Sequence, residues 1–557
     1  MRIYLLAFSI SFSILLHAQR TTYKVNVWLQ GDADMLHPTN YSSADAGYLL
    51  NLMFQTLTEI DPVTQQQVPF LAKALPTIAY DKKAELTSYT YELKPGAKWD
   101  NGTSITANDV LFSFKFAKCP AIDDLVQRVY IKGIVDVIKY TNDPLKFTVV
   151  TKGKKMIDEY TVGMQYILPE YVYDEAKVLR NYSLEQLDKL ENKPLPAELI
   201  AYGRKYNSEL YQRDPNYIVG SGAYKLNKWV TGQYIELVKK KNWWAENLAA
   251  TDGTTIFDAY PDTINYVIIV DANAAMLAYK AGYIDVMDGV KARNFSSMRA
   301  TDSSSSFYST ASHSYSYLGI NMKHPILQDV KVRQAIAHIA DVDTYIKEIS
   351  LGMAERTIGP FSPHKKNAYN DTITPYDYNI EKAQKLLAEA GWKDRDNNGI
   401  LYKKTRGEKV PLELTLLTTW GNETTKNLFD ILSRDAEKAG IKINLVQKEW
   451  TMFLQSTKIH DFDLYFGAWI SSATPDNPRQ IWHTSSYNGG SNYTGFGNAE
   501  TDKLIEDIEQ ELDAEKRKHL YDKFQVAVHQ QVPYVFLSVP QSKIVISNKF
   551  EAISSKC

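Results

Sequence analysis

Apolar and polar side chains alternate along residues 23–29 with the period of a half-buried strand, and residues 88–93 repeat the pattern. Between them, residues 48–57 are apolar enough for a helix that faces a core. The turn-rich segments 31–34 and His37-Pro38-Thr39-Asn40 separate the first strand from that helix. KPGAKWDNGTSITANDVLFSFKFA follows at residues 94–117. Lys94-Pro95-Gly96 turns the chain out of a strand, and Asn101-Gly102 tolerates the positive φ of a tight turn. Thr106 is the predicted N-cap of a helix and Asp109 its capping-box partner, with Val110, Phe114 and Ala117 on one face. No side chain here looks like a nucleophile or a metal ligand, so the pattern specifies shape.

Farther along, residues 224–229 and 235–238 predict a hairpin around Thr231-Gly232. The apolar run 266–270 predicts a buried strand, 272–279 a helix stopping at Gly282, and 283–286 a short strand. This alternation implies an α/β layer, and the polar segment 302–306 reads as a loop crossing between domains. A second α/β region follows. Val332, Ala335, Ile336 and Ile339 have helical spacing, as do Ile380, Ala383, Leu386, Leu387 and Ala390 before the stop residue Gly391. Strands are predicted at 412–417, 441–446 and 463–466, and a helix at 428–439 ended by Gly440. Two late helices, 501–512 and 514–530, end before Pro533.

Length changes this picture by requiring more than one core: 557 residues imply two to four domains. A net charge of -2 argues against nucleic acid as a partner. Residues 1–18 read as a secretory signal: Met1-Arg2, an apolar run at 3–16, and Leu16-His17-Ala18 as a cleavage site before Gln19. No cysteine follows that could take a lipid anchor, so a soluble periplasmic chain is expected. Cys119 and Cys557 are expected to be free thiols.

Catalytic constellations are missing. There is no His-Glu-x-x-His pair, no phosphate-cradling glycine loop and no Gly-x-Ser-x-Gly elbow. Ser362-Pro363-His364-Lys365 matches Ser-x-x-Lys, a pattern short enough to arise by chance, and His519 and His529 read as packing or surface residues. The stretch from Asp394 to Gly399 follows the first half of a calcium loop, yet its twelfth position is Thr405 where a bidentate Glu belongs, so a polar turn is the simpler reading. No catalytic residue, metal or cofactor is expected. The chain is instead rich in aromatics, with 37 Tyr and 10 Trp, which suits a binding surface. Trp420, Trp450 and Trp469 all lie near strand ends, where α/β sheets bind ligands.

Several blocks together resemble the family 5 extracellular solute-binding proteins, the peptide receptors of ABC importers. They are Leu71-Ala72, Tyr89 to Lys94 with Gly96, Trp99-Asp100-Asn101-Gly102, Thr106 to Val110, Gly220-Ser221-Gly222-Ala223-Tyr224, Asn321-Met322-Lys323, Asp329 to Ala335, and Lys382 to Gly391. The resemblance covers nearly all of the chain beyond residue 18. It implies an α/β fold of the periplasmic-binding-protein type II kind, two α/β lobes around a ligand cleft plus an extra third domain. The implied division is domain I at 19–56, 219–311 and 539–557, domain II at 57–218 and domain III at 312–538. It implies capture, without turnover, of an extended peptide by hinge closure and delivery to a membrane permease, by a monomer.

Carried over position by position, Tyr41, Ser42 and Ser43 match the ligand-pairing segment of domain I. Trp450 and Trp469 match the pocket aromatics of domain III, and residues 418–424, with Trp420 and Asn422, a loop lining the cleft. Two departures narrow the cargo. The Asp that peptide-binding members place three residues after the matching Trp, to hold the ligand's amino terminus, is Ser472 here. Asp476 is the nearest downstream acid and the candidate replacement. The Arg that dipeptide-specific members carry in the 418–422 loop is missing, which disfavours free dipeptides. Longer or modified peptides and non-peptide solutes such as oligosaccharides stay open, and a secreted hydrolase is the reading from another class.

Overall fold

A single strand, Tyr534–Ser547, belongs to both of the molecule's large layers. The computed structural model describes residues 23–550 apart from 42, 124–126, 249–251, 406, 472 and 473. The expected leader 1–18, Ser42, Ser472 and Cys557 therefore lie outside the described residues. The first half of the shared strand pairs antiparallel with Tyr315–Ile320 and Ala354–Arg356. Its second half pairs with Ser305–Ala311 and Val286–Met287. The exchange of partners falls at Pro540, which faces Ala354, while the next residue, Gln541, faces Ala311. A residue without an N–H is tolerated where a ladder is handed from one partner to the next.

On one side of that exchange the sheet runs through Lys24–Leu29, Thr263–Ile268, Tyr234–Lys239 and Tyr224–Val230, with the first two parallel. On the other it runs through Tyr315–Ile320, Leu464–Trp469, Glu413–Thr419 and Lys442–Lys448, the last three mutually parallel. Each half has its own core. Leu49, Leu50, Ile235 and Leu237 centre the first lobe, and Ile336, Leu387, Leu416 and Leu464 the second. The chain crosses between lobes at residues 312–314 and again beside Pro540, and the Ser312 amide donates to the Pro540 carbonyl at 3.3 Å.

A third unit is a four-stranded antiparallel sheet in the order Thr77–Asp81, Leu86–Glu92, Asp143–Lys152, Ile134–Tyr140. The helix Ala107–Lys118 lies on it. Its cap forms as the sequence predicts: the Asn108 amide donates to the Thr106 hydroxyl at 3.3 Å, and the Thr106 amide to the Asp109 carboxylate at 2.8 Å. Val110, Phe114 and Ala117 are fully buried against the sheet, while Phe112 and Phe116 point the other way into the first lobe's core. The helix is thus buried on two faces. Asp100, in the preceding turn, reaches Lys240 of the first lobe at 2.7 Å. Turn-dense as it is, residues 94–117 dock one unit on another.

The Gly220-Ser221-Gly222 element has a steric cause. A Cβ on Gly220 would meet the Met53 carbonyl oxygen at 2.3 Å, and one on Gly222 would meet the Leu52 oxygen at 2.5 Å. The Gly222 amide donates to the Met53 carbonyl at 2.8 Å, so two backbones touch where the helix Ala44–Met53 ends.

Several expected elements shift, among them the helix expected at 428–439, which is Glu423–Lys438 because Asn422 caps it. The helix expected at 48–57 is Ala44–Met53, because the Ser43 hydroxyl accepts from the Ala46 amide and sets an earlier start. The polar segment 302–306 is only partly a loop: Ser305 opens the strand Ser305–Ala311, whose pairing with the shared strand outweighs its polarity. The strand expected at 283–286 is reduced to Val286–Met287, since Asp285 instead bonds the Asn26 backbone at 2.8 and 2.9 Å. The strand expected at 266–270 is Thr263–Ile268, its start set by parallel pairing with Lys24–Leu29. Cys119 is free and buried, and burial pushes its thiol up to about 11.

Two measurements follow from this packing. Gly220→Ala is expected to lower unfolding stability by about 2 kcal/mol through overpacking. Gly133→Ala, where a Cβ meets nothing within 4 Å, should leave the urea midpoint in place. Equal effects would remove the steric account. The second concerns His37, which stacks on Phe116 and is 1% exposed. Burial holds its imidazole down to about 4, below the ordinary 6.5, with the Tyr206 main chain opposing the shift. The unfolded chain therefore binds the proton first as pH falls. Stability from this group is complete above 6.5 and is lost on descending toward 4. Between pH 7 and pH 4.5 the protein should lose roughly 2–3 kcal/mol more than its His37→Phe variant, by urea unfolding. Parallel pH profiles would exclude His37 as the cause.

Candidate functional site

The three parallel strands of the second lobe end on one edge, at Thr419, Lys448 and Trp469. A cavity of about 490 Å³ opens beside that edge. Its walls come from Ser316 and Tyr317 on one strand, Gly467 to Trp469 on the next, the start of the helix Glu423–Lys438 as far as Leu428, and one side of the helix Trp450–Lys458 from Trp450 to Thr457. Helix starts and strand ends leave backbone groups unpaired, which is why such edges bind ligands.

An aromatic box forms the floor. Tyr317 stacks on Tyr534 with centroids 3.8 Å apart and planes 8° apart, and Trp469 stacks more loosely on Tyr317 and on Tyr493. Tyr465 stands edge-on to Tyr317 at 5.6 Å. The hydroxyls are joined: Tyr317 and Tyr465 lie 3.1 Å apart, and the Trp469 Nε1–H donates to the Tyr534 hydroxyl at 3.3 Å. Burial first, then the neighbouring tyrosines, holds the phenols of Tyr317 and Tyr465 well above their ordinary range, so both stay protonated. The box closes because Gly319 and Gly467 flank it. A Cβ at Gly467 would lie 2.6 Å from the Tyr317 ring, and one at Gly319 would lie 2.2 Å from Tyr465. Phe453 and Trp450 stack at 5.8 Å toward the mouth, where Trp450 is largely exposed.

Asn422, Trp450 and Trp469 line this cavity. Asn422 also caps the helix Glu423–Lys438, accepting from the Thr425 amide at 3.1 Å. Trp450 opens a helix capped by Glu449. Trp420 is exposed outside the cavity walls. Tyr41 lines a separate hollow of about 360 Å³ with Asn51, Glu59, Tyr160, Gln165 and Tyr166. Ser43 caps a helix and donates its hydroxyl to Asp34 at 2.9 Å.

Asp476 does not line the cavity; it is held by Lys365. The Lys365 ammonium, 5% exposed, donates to the Asp476 carboxylate at 2.6 Å, the Ser471 hydroxyl at 2.7 Å and the Thr474 carbonyl at 3.2 Å. The Ser471 hydroxyl donates to the other Asp476 oxygen at 2.8 Å. Ser362, of the Ser-x-x-Lys match, donates to the Ser312 carbonyl instead of facing Lys365 as a nucleophile would. In the calcium-like turn, Asp394 accepts from the Asp396 and Gly399 amides, and Asp396 pairs with Lys409.

Sequence reasoning missed Tyr317, Tyr465, Tyr493, Tyr534, Phe453 and Lys365. A signal for two of them exists in YSYLG and LYFGAW, where a tyrosine recurs two residues from a glycine at a strand end.

The chain matches the family model for bacterial extracellular solute-binding proteins, family 5 middle, over residues 66–492. It is 27% identical to the oligopeptide-binding protein AppA of Bacillus subtilis (strain 168), over 92% of this chain and 85% of that protein. It is 25% identical to heme-binding protein A of Haemophilus influenzae, over 80% of this chain and 75% of that one. The solved structure of AppA from Bacillus subtilis in complex with a nonapeptide superposes with a TM-score of 0.66 at 24% identity, covering 96% and 97% of the two chains. The fold is of the periplasmic-binding-protein type II kind. By sequence and by architecture, this chain belongs to family 5 of the bacterial extracellular solute-binding proteins.

Proposed function

We propose that the protein is an extracytoplasmic receptor that captures peptides between its two lobes and passes them, unaltered, to the permease of an ABC importer. The aromatic cavity at the strand ends of the second lobe, next to two backbone crossings, is the observation that carries this reading. The oligopeptide-binding relative supports peptide as the cargo. The lobes correspond to domain I, at 19–56, 219–311 and 539–557, and domain III, at 312–538, with 57–218 as domain II.

In this reading an extended peptide lies along the strand ends and pairs through its main chain, as an added strand does. Trp450, Trp469 and Tyr317 take side chains by area and stacking, which tolerates varied sequence. Tyr41 and Ser43 offer the facing surface from the first lobe. Closure turns on residues 312–314 and Pro540, and the ligand's contacts with both lobes bias the closed state. A second reading, a non-peptide solute, is favoured by the density of rings in the cavity and by the heme-binding relative.

Native mass spectrometry of protein purified without refolding should release peptide masses. For a peptide so identified, Trp469→Ala should weaken binding by about 30-fold, the loss typical of a buried aromatic anchor. Small-angle scattering should show the radius of gyration fall when it is added. Cargo of non-peptide mass would favour the second reading, and an unchanged radius at saturation would count against closure.

A further inference from the structure

Hydroxyls, one amide and rings make up the polar wall of the second-lobe cavity: Ser316, Thr419, Asn422, Thr424, Thr425 and Thr457 beside tyrosines. Among the described residues that line it, none carries a carboxylate, ammonium, guanidinium or imidazole. The acids that flank the Trp469 strand are both engaged. Asp463, at the far end, accepts the Thr415 amide and hydroxyl at 2.7 and 2.8 Å. Asp476, on the near side, is held by Lys365 and Ser471. An ammonium brought against such a wall gives up its hydration with no carboxylate to replace it, which is strongly unfavourable, whereas a carboxylate would meet the N-termini of the two lining helices.

We infer that the part of the solute entering this cavity carries no free ammonium, and that Lys365 is a built-in counter-ion that keeps Asp476 from serving one. This rests on the peptide-capture reading and makes it more specific: the cargo is a peptide whose amino terminus is blocked. Lys365 is a positioning residue. It bonds Ser471, Thr474 and Asp476, and it does so from a segment whose Ser362 bonds the lobe crossing at Ser312. The charge that would recognise a free amino terminus is consumed by the fold.

The test is calorimetric titration of the full chain with two matched sets. One is a neutral, aromatic-rich peptide with free, N-acetylated, C-amidated and doubly blocked ends. The other is a neutral oligosaccharide with its amino-sugar and uronic-acid counterparts. The N-acetylated peptide should bind at least about tenfold tighter than the free one, and equal binding would overturn the inference. Lys365→Met, which leaves Asp476 without its ammonium, should move that ratio about tenfold toward the free amine. Adding Asp476→Asn should restore the original ratio. If Lys365→Met does not fold, Asp476→Asn alone gives the mirror result, a shift toward the free carboxylate. A wild-type preference for free ends, or a folded Lys365→Met with an unmoved ratio, overturns the inference and leaves peptide capture standing. Silence toward every peptide with capture of the neutral glycan overturns peptide capture and leaves the charge inference standing. Tighter binding of the amino-sugar glycan, or silence toward both sets, counts against the inference.

Discussion

One fourteen-residue strand shared by two sheets is the constraint on which the rest of the molecule depends. Its first half is laddered to the second lobe and its second half to the first, so neither lobe can slide without breaking backbone hydrogen bonds. The partner exchange at Pro540 is different. There the ladder passes between neighbours, and the other crossing, at 312–314, lies beside it and bonds to it. Two adjacent backbone segments thus join the lobes at this point.

The third unit adds stiffness. Its helix Ala107–Lys118 is buried between its own sheet and the first lobe, and Lys240, bonded to Asp100 and the Gly220 carbonyl, ties the preceding turn down. On its other side Met156 sits in the second lobe's aromatic core, its amide donating to the Glu509 carbonyl at 2.8 Å. His313, in the crossing itself, lies 2.8 Å from the Gln65 side chain. The unit thus touches both lobes and the segment between them.

Rings and hydroxyls wall the cavity and supply area and hydrogen-bonding groups. Close packing of the box depends on two glycines that admit Tyr317 and Tyr465, so a site built for tolerance rests on a floor with no spare volume.

Local features were legible in the sequence alone, because their causes are local. The Thr106 cap, the stops at Gly391 and Gly440 and the two late helices follow from neighbouring residues and recur in the structure. The family also was legible, since its blocks are scaffold contacts such as the Gly220–Gly222 packing on Met53. What tertiary structure alone decided involves partners distant in the chain. Ser305–Ala311 is polar and becomes a strand only through a neighbour more than two hundred residues away. Tyr317, Tyr465 and Tyr534 meet because three strands lie side by side, and Asp476 is neutralised by a lysine 111 residues earlier. Periodicity reports which face of an element is covered; it does not report what covers it, and in this protein that is where the site's chemistry lies.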